Sequence, residues 1–232
     1  MYKLDQTKYQ RQKLNLKKYF IMPHRNKAIT KEAQDQLTPM KVLQDFIEGN
    51  SRFIRNEVHT IDHKALISQT TDGQHPKAIV LSCIDSRVPV ELIFDQTIGD
   101  VFVARVAGNF ENTDILGSIE YSCKVAGSKL VFVLGHESCG AIKAACDHVK
   151  LGNITALLEN IQPAVKLSET QVKGKHNSSN NEFVIKTTEN NVQLTIQRIR
   201  EKSPILKEME EAGEIKIIGG VYHISSGKVT LL

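Results

Sequence analysis

Three short runs of β-branched and aliphatic residues, Ala78–Leu81, Val101–Val106 and Leu130–Leu134, constrain the fold of this chain more than anything else in it. Each is too short for a helix and apolar with little alternation, the pattern of strands covered on both faces. Between the second and third runs, Ile115, Ile119, Tyr121, Ser122 and Val125 lie in a stretch with helical patterning that closes at Gly127. Strand, helix, strand is the pattern of a parallel crossover. Ile215–Tyr222 reads as a fourth or edge strand, and Ser225-Ser226-Gly227 turns it into Lys228–Leu232. The expectation is an α/β fold: a mainly parallel central sheet flanked by helices, with a C-terminal edge strand.

The flanking helices are marked by their ends. Thr38-Pro39 has the form of an N-cap followed by proline, and Val42, Leu43, Phe46 and Ile47 then repeat at helical spacing towards an expected stop near Gly49. Ala141–Val149 forms a further helix, and Ile154–Leu167 another with Pro163 as its kink or boundary. Lys173–Asn181 reads as an exposed loop. Val192, Ile196 and Ile199 recur on one face of a long helix, Ser203-Pro204 restarts a shorter one, and Gly213 stands where a helix C-terminal glycine is expected.

With 232 residues, 41% of them apolar and none tryptophan, the chain can bury one sizeable core of Val, Ile, Leu and Ala. Residues 1–30 hold eight Lys or Arg against a single acid, Asp5, which leaves the remainder slightly acidic. The division expected is a basic arm over 1–37 and a catalytic domain over 38–232, with nothing in the domain that reads as a nucleic-acid stripe. The longest apolar stretch in the arm is Tyr19–Met22, too short for a secretory signal or a membrane partner, so the body reads as cytoplasmic. The cysteines at 83, 123, 139 and 146 are then not expected to form disulfides. Cys123 and Cys146, in helix-like segments, read as inert buried thiols.

The other two cysteines sit in motifs that begin where predicted strands stop. Cys83-Ile84-Asp85-Ser86-Arg87 follows the first run, and His136-Glu137-Ser138-Cys139-Gly140 follows the third. In open α/β sheets the carboxyl edge is where ligands bind. Two thiolates and one imidazole are the ligands of a zinc site with an open fourth position. Cys139, at a helix start, is placed to favour the thiolate. Asp85 is near enough to aim a metal-bound hydroxide at an electrophile, and Arg87 can pair with it and keep it ionised. If Arg87 released it, Asp85 would become the fourth metal ligand and close the site. An Asp-Ser-Arg alone is an ordinary surface turn and a His-x-x-Cys alone is chance; their joint placement carries the reading.

Cys-x-Asp-x-Arg followed by His-x-x-Cys resembles the β-class carbonic anhydrases, over roughly residues 38–232 and including Gly108-Asn109 and the terminal strand. The resemblance implies reversible hydration of carbon dioxide to bicarbonate and a proton, with one zinc per subunit on Cys83, His136 and Cys139, and Asp85 and Arg87 as catalytic residues. It implies a homodimer or dimer of dimers, with active sites near the subunit interface and no nucleic-acid or membrane partner. Within the family the chain resembles the open-site, plant-like subgroup, through Gln74, Phe102 and Tyr121 as substrate-binding residues. Ala107, Gly108 and Gly140 complete that pocket. The closed-site subgroup carries tryptophan where this chain has Val80, and Ala107 replaces a bulkier valine of the open subgroup. Three rivals stay open at this point: hydrolysis of carbon disulfide or carbonyl sulfide on the same scaffold, a non-catalytic zinc or bicarbonate-binding scaffold, and a cysteine nucleophile paired with His136.

Overall fold

The computed structural model describes residues 24–232, so the arm before His24 lies outside the described residues. Strands β1 (His24–Arg25) and β2 (Thr60–Ile61) form a small parallel pair. The central sheet holds β3 (Ala78–Ser82), β4 (Val101–Arg105), β5 (Leu130–His136), β6 (Lys216–Tyr222) and β7 (Val229–Leu231), in the order β4-β3-β5-β6-β7. The first four pair parallel, and β7 returns antiparallel on β6. Ser82 lies in register with both Arg105 and Leu134, so β3 and β4 end together while β5 runs two residues further, to His136, on the same edge. That shared edge carries the two cysteine motifs.

Helices cover both faces. On one, α2 (Pro39–Ile54) and α4 (Val90–Ile93) pack Val42, Leu43, Phe46, Val90 and Ile93 against Ala78, Val80, Leu130, Phe132 and Leu134. Phe46, Phe94 and Phe132 form the aromatic centre of that layer, with ring centroids 4.6 and 5.3 Å apart along the chain of contacts. On the other, α9 (Asn181–Lys202) and α10 (Pro204–Glu211) set Val192, Ile196, Ile199, Leu206 and Met209 on Ile79, Leu81, Val131, Val133 and Ile217. This approach is close: a Cβ at Gly219 would stand 2.5 Å from Val192 Cγ1, so only glycine lets α9 reach the sheet there. A third cluster, built from α6 (Gly140–Cys146), α7 (Gly152–Glu159), α8 (Gln162–Glu169) and the start of α9, caps the carboxyl edge around Cys83 and Cys139.

Several expectations change in detail. β4 is the sheet's edge, not covered on both faces: Val101–Ala104 are half-buried and Arg105 is exposed. β6 lies inside the sheet between β5 and β7. Helix α2 runs through Gly49 to Ile54, because Gly49 is a packing point and not a stop; a Cβ there would fall 2.0 Å from the Phe94 carbonyl oxygen. The helix before Gly127 is composite, with α5 (Thr113–Glu120) passing into one π-helical turn, Tyr121–Val125. Two helices had no signature in the apolar spacing: α1 (Lys31–Asp35) and α3 (His63–Thr70). In α1, Gln34 is buried and its Nε2 donates to the carbonyls of Pro76 and Ala126, both at 2.8 Å. The end of the basic segment is thereby fastened to the sheet's amino edge.

Candidate metal centre

Each sulfur and nitrogen of the centre is delivered by the end of a regular element. Cys83 is the first residue past β3, His136 the last of β5, and Cys139 the N-cap of α6. Ser138 between them takes φ +54°, which turns the chain sharply enough to bring Cys139 back beside His136. The three ligating atoms lie within 4.8 Å of one another, all on buried residues. The Cys83 and Cys139 Sγ atoms are 3.9 Å apart. Two thiolates on one tetrahedral zinc at ordinary bond lengths stand about 3.8 Å apart, so the pair is spaced for that ion.

The imidazole is also set for a cation. His136 Nδ1 is 2.8 Å from the Glu137 carbonyl oxygen, which assigns the proton to Nδ1 and leaves the Nε2 lone pair free. Nε2 is fully buried with no hydrogen-bond partner among the described residues. A buried acceptor costs stability unless something occupies it. The Cys83 thiol is pulled well below its ordinary range by the S–H of Cys139, against burial and with help from His136 and the Gly108 amide, while Cys139 is pushed up by holding that proton. A divalent cation is what allows both to ionise. The donor set fits zinc.

Asp85 stands over this centre in the turn after β3. Its Oδ1 accepts from the Arg87 amide and Nε, both at 2.9 Å, and its Oδ2 accepts from Arg87 Nη2 at 2.8 Å. Oδ2 is 4.0 Å from His136 Nε2. The Arg87 guanidinium holds the Asp85 carboxyl far below the usual carboxylate range, so it is ionised at any working pH. Arg105 was missed by sequence reasoning: its Nε donates to the Cys83 carbonyl at 2.9 Å and its Nη2 to that of Asp85 at 2.7 Å. The only signal for it was a charge ending an otherwise apolar strand. Glu137 was missed likewise; it binds His223 Nδ1 at 2.7 Å and Ser225, tying the His136 segment to the turn after β6.

The remaining site candidates divide by position. Gly108 is beside the centre, with its amide 3.4 Å from Cys83 Sγ; Ala107 directly precedes it, and Gly140 directly follows the ligand Cys139. Gln74, Phe102 and Tyr121 are elsewhere. Gln74 precedes β3 and is exposed, and Phe102 pairs in register with Ile79, four residues before Cys83. A strand advances about 3.3 Å per residue, so the Phe102 backbone lies about 13 Å along the sheet from Cys83, towards the amino end where Gln74 also precedes the strand. Phe102 and Tyr121 meet edge to face at 6.3 Å and line an open cavity of about 610 Å³ with Ala104 and Gly117. Cys123 and Cys146 are buried and free, and burial pushes Cys123 up to about 12, in keeping with inert thiols.

Fold and centre together define a Cys₂His metalloenzyme on the carboxyl edge of a parallel α/β sheet. The family model of carbonic anhydrase, Pro_CA, matches residues 78–229. Carbonic anhydrase 2 of Mycobacterium tuberculosis is 32% identical over 202 residues, covering 83% of this chain and 92% of that protein. The carbonic anhydrase of Mycolicibacterium smegmatis is 32% identical over 199 residues, covering 83% and 93%. Among solved structures, the β-carbonic anhydrase CafA of Aspergillus fumigatus superposes with a TM-score of 0.64 at 27% identity, covering 83% of this chain and 89% of that one. The chain belongs to the β-class carbonic anhydrases, zinc enzymes of carbon dioxide hydration.

Proposed function

We propose that this carbonic anhydrase works with an open site of the plant-like kind, in which Asp85 serves as a hydrogen-bond acceptor and is not a fourth ligand. The observation that carries this reading is the three-bonded grip of Arg87 on both oxygens of Asp85. A carboxylate so held is restrained from turning onto the metal. A zinc ion on Cys83, His136 and Cys139 supplies the Lewis acidity that makes water a nucleophile at neutral pH. The chain's own residues supply direction. Asp85 keeps lone pairs free to accept a hydrogen from the attacking solvent molecule, which points that molecule's electron pair at the carbon of carbon dioxide. Arg87 keeps Asp85 ionised, and Arg105 keeps the turn that carries both from shifting.

Gln74, Phe102 and Tyr121 then serve the metal centre of a second copy. Support comes from the half-buried edge strand β4 and from Ile84, Tyr121 and Val125, which are 62%, 57% and 69% exposed in the isolated chain. An apolar surface of that kind belongs in an interface. The assembly is a homodimer or a dimer of dimers; one β-carbonic anhydrase of Sordaria macrospora with this fold, at 22% identity and a TM-score of 0.65, is described as tetrameric. The substrate is carbon dioxide or bicarbonate. Four unpaired cysteines suit a reducing compartment, and the cytoplasm is the location we assign. Among the described residues no helix is long and apolar enough to cross a membrane. Residues 1–37 are assigned as an arm on the catalytic domain 38–232.

Azide added to cobalt-substituted protein at neutral pH tests the open site. A change in the visible spectrum is expected, because the anion enters the fourth position. An unchanged spectrum would mean that Asp85 occupies it. Assay of the same preparation with carbon disulfide is expected to release no sulfide at rates near those of carbon dioxide hydration.

A further inference from the structure

Helix α9 carries polar residues where a helix packed on a sheet should be apolar. Asn191, Thr195, Arg198 and Lys202 fall at spacings of four, three and four, a single stripe along one face. Asn191 is 1% exposed and Thr195 fully buried, in the same stretch as core residues Val192 and Ile196. Burying such groups is costly unless they are bonded. Asn191, Arg198 and Lys202 bond to one target, the loop that follows β4, and Thr195 accepts from Arg198; of the Asn191 amide only the Nδ2 is partnered among the described residues.

The contacts run the length of the loop. Asn191 Nδ2 donates to the Gly108 carbonyl at 2.8 Å. Arg198 Nε lies 2.8 and 3.0 Å from the two oxygens of Glu111, and Lys202 Nζ adds a bond at 2.8 Å. The Glu111 side chain is 1% exposed, so its charge is spent wholly on these two cations. Arg198 is itself steadied by Thr195 Oγ1 at 3.2 Å. Between the two anchor points the backbone has little freedom: Gly108 has φ +83°, and a Cβ there would lie 2.5 Å from Ile161 Cδ1. Gly108 thus stands between two contacts: Asn191 holds its carbonyl, and its N–H, in the peptide before, faces Cys83 Sγ at 3.4 Å.

We infer that Asn191, with Arg198 and Glu111 behind it, is a positioning residue for the metal-ligating sulfur: by holding the Gly108 carbonyl it keeps Gly108 where its own amide faces Cys83 Sγ. The inference rests on the zinc reading of the centre. A hydrogen bond to a ligating thiolate withdraws electron density from it and holds it in place, and such outer contacts govern metal retention as well as chemistry. None of these three residues touches metal or substrate.

The test is Asn191→Leu, close in volume and without the donor, in the cobalt-loaded protein. The sulfur-to-cobalt charge-transfer band is expected to move to lower energy, and cobalt loss to a chelator to quicken by about tenfold. Arg198→Gln, at a partly exposed position, is the second variant should Asn191→Leu fold poorly, and it should shift the band in the same direction by less. The control is Asn190→Leu. Asn190 is equally buried but bonds to Ser168 and Gln171 on the far side, so its loss lowers stability without touching the loop. A band and release rate in Asn191→Leu and Arg198→Gln no different from Asn190→Leu would overturn the inference while leaving the metal centre intact. A parent protein that takes up no cobalt would overturn both.

Discussion

Two side chains from different strand ends, Cys139 and Asp85, divide holding the metal from using it. Cys139 is a ligand, so Cys139→Ala should lose zinc and activity together. On the open-site proposal Asp85 is not, so Asp85→Asn should keep one zinc per chain while hydration slows about a hundredfold, the scale of a misaimed reactant. Metal analysis beside stopped-flow hydration separates the two; zinc lost from Asp85→Asn would make it a ligand after all. Gly108 offers a different kind of evidence, because the residue is required by geometry alone. At φ +83° and with no room for a Cβ, Gly108→Ala should cost about 1–3 kcal/mol of stability, read from denaturant unfolding. A neutral outcome would show that the loop beside Cys83 is not held as described.

At the scale of elements, the strands that bear the ligands were legible because buried parallel strands are apolar throughout, and each apolar run ended where its motif began. Ala78–Leu81 against the observed Ala78–Ser82, and Leu130–Leu134 against Leu130–His136, differ only where polar or glycine residues extend a strand that its neighbours already hold. The ligands were legible because metal chemistry permits few residue types. What stayed hidden is what depends on distance across the fold. Gly49 looks like a stop unless Phe94 is known to press against it, and Arg105 looks like a surface charge unless the Cys83 and Asp85 carbonyls are known to face it. The packing of α9, α10 and β6 is another such case. Glu210 accepts from Arg200 at 2.6 and 3.0 Å and from the Ile217 amide at 2.9 Å. Burial alone would raise this carboxyl, but those donors together hold it below its ordinary value. The ionised form is therefore favoured by folding: its contribution is present above the unfolded carboxyl range, about pH 4.3, and fades as the pH falls through the lower folded value. Glu210→Gln should lower the thermal midpoint at pH 7, by an amount that shrinks towards pH 3. A difference constant across that range would contradict the assignment.

For the whole molecule, the proposal that Gln74, Phe102 and Tyr121 serve the metal centre of a second copy makes a single chain an incomplete enzyme. Mixing two inactive proteins exposes this. Cys139→Ala lacks the metal but keeps Gln74; a Gln74→Leu, Phe102→Ala protein keeps the metal but lacks the pocket wall. Mixed dimers join one intact metal centre to one intact wall, so co-refolded samples should recover up to about a quarter of the parent activity. No recovery, with mixed dimers demonstrated, would place the whole site within one chain. The most direct measurement of the account as a whole is stopped-flow hydration of carbon dioxide by reduced, natively purified protein before chelation, after it, and after zinc is returned. Activity should vanish with the metal and return with one equivalent per chain; full activity in metal-free protein would contradict the role given to Cys83, His136 and Cys139.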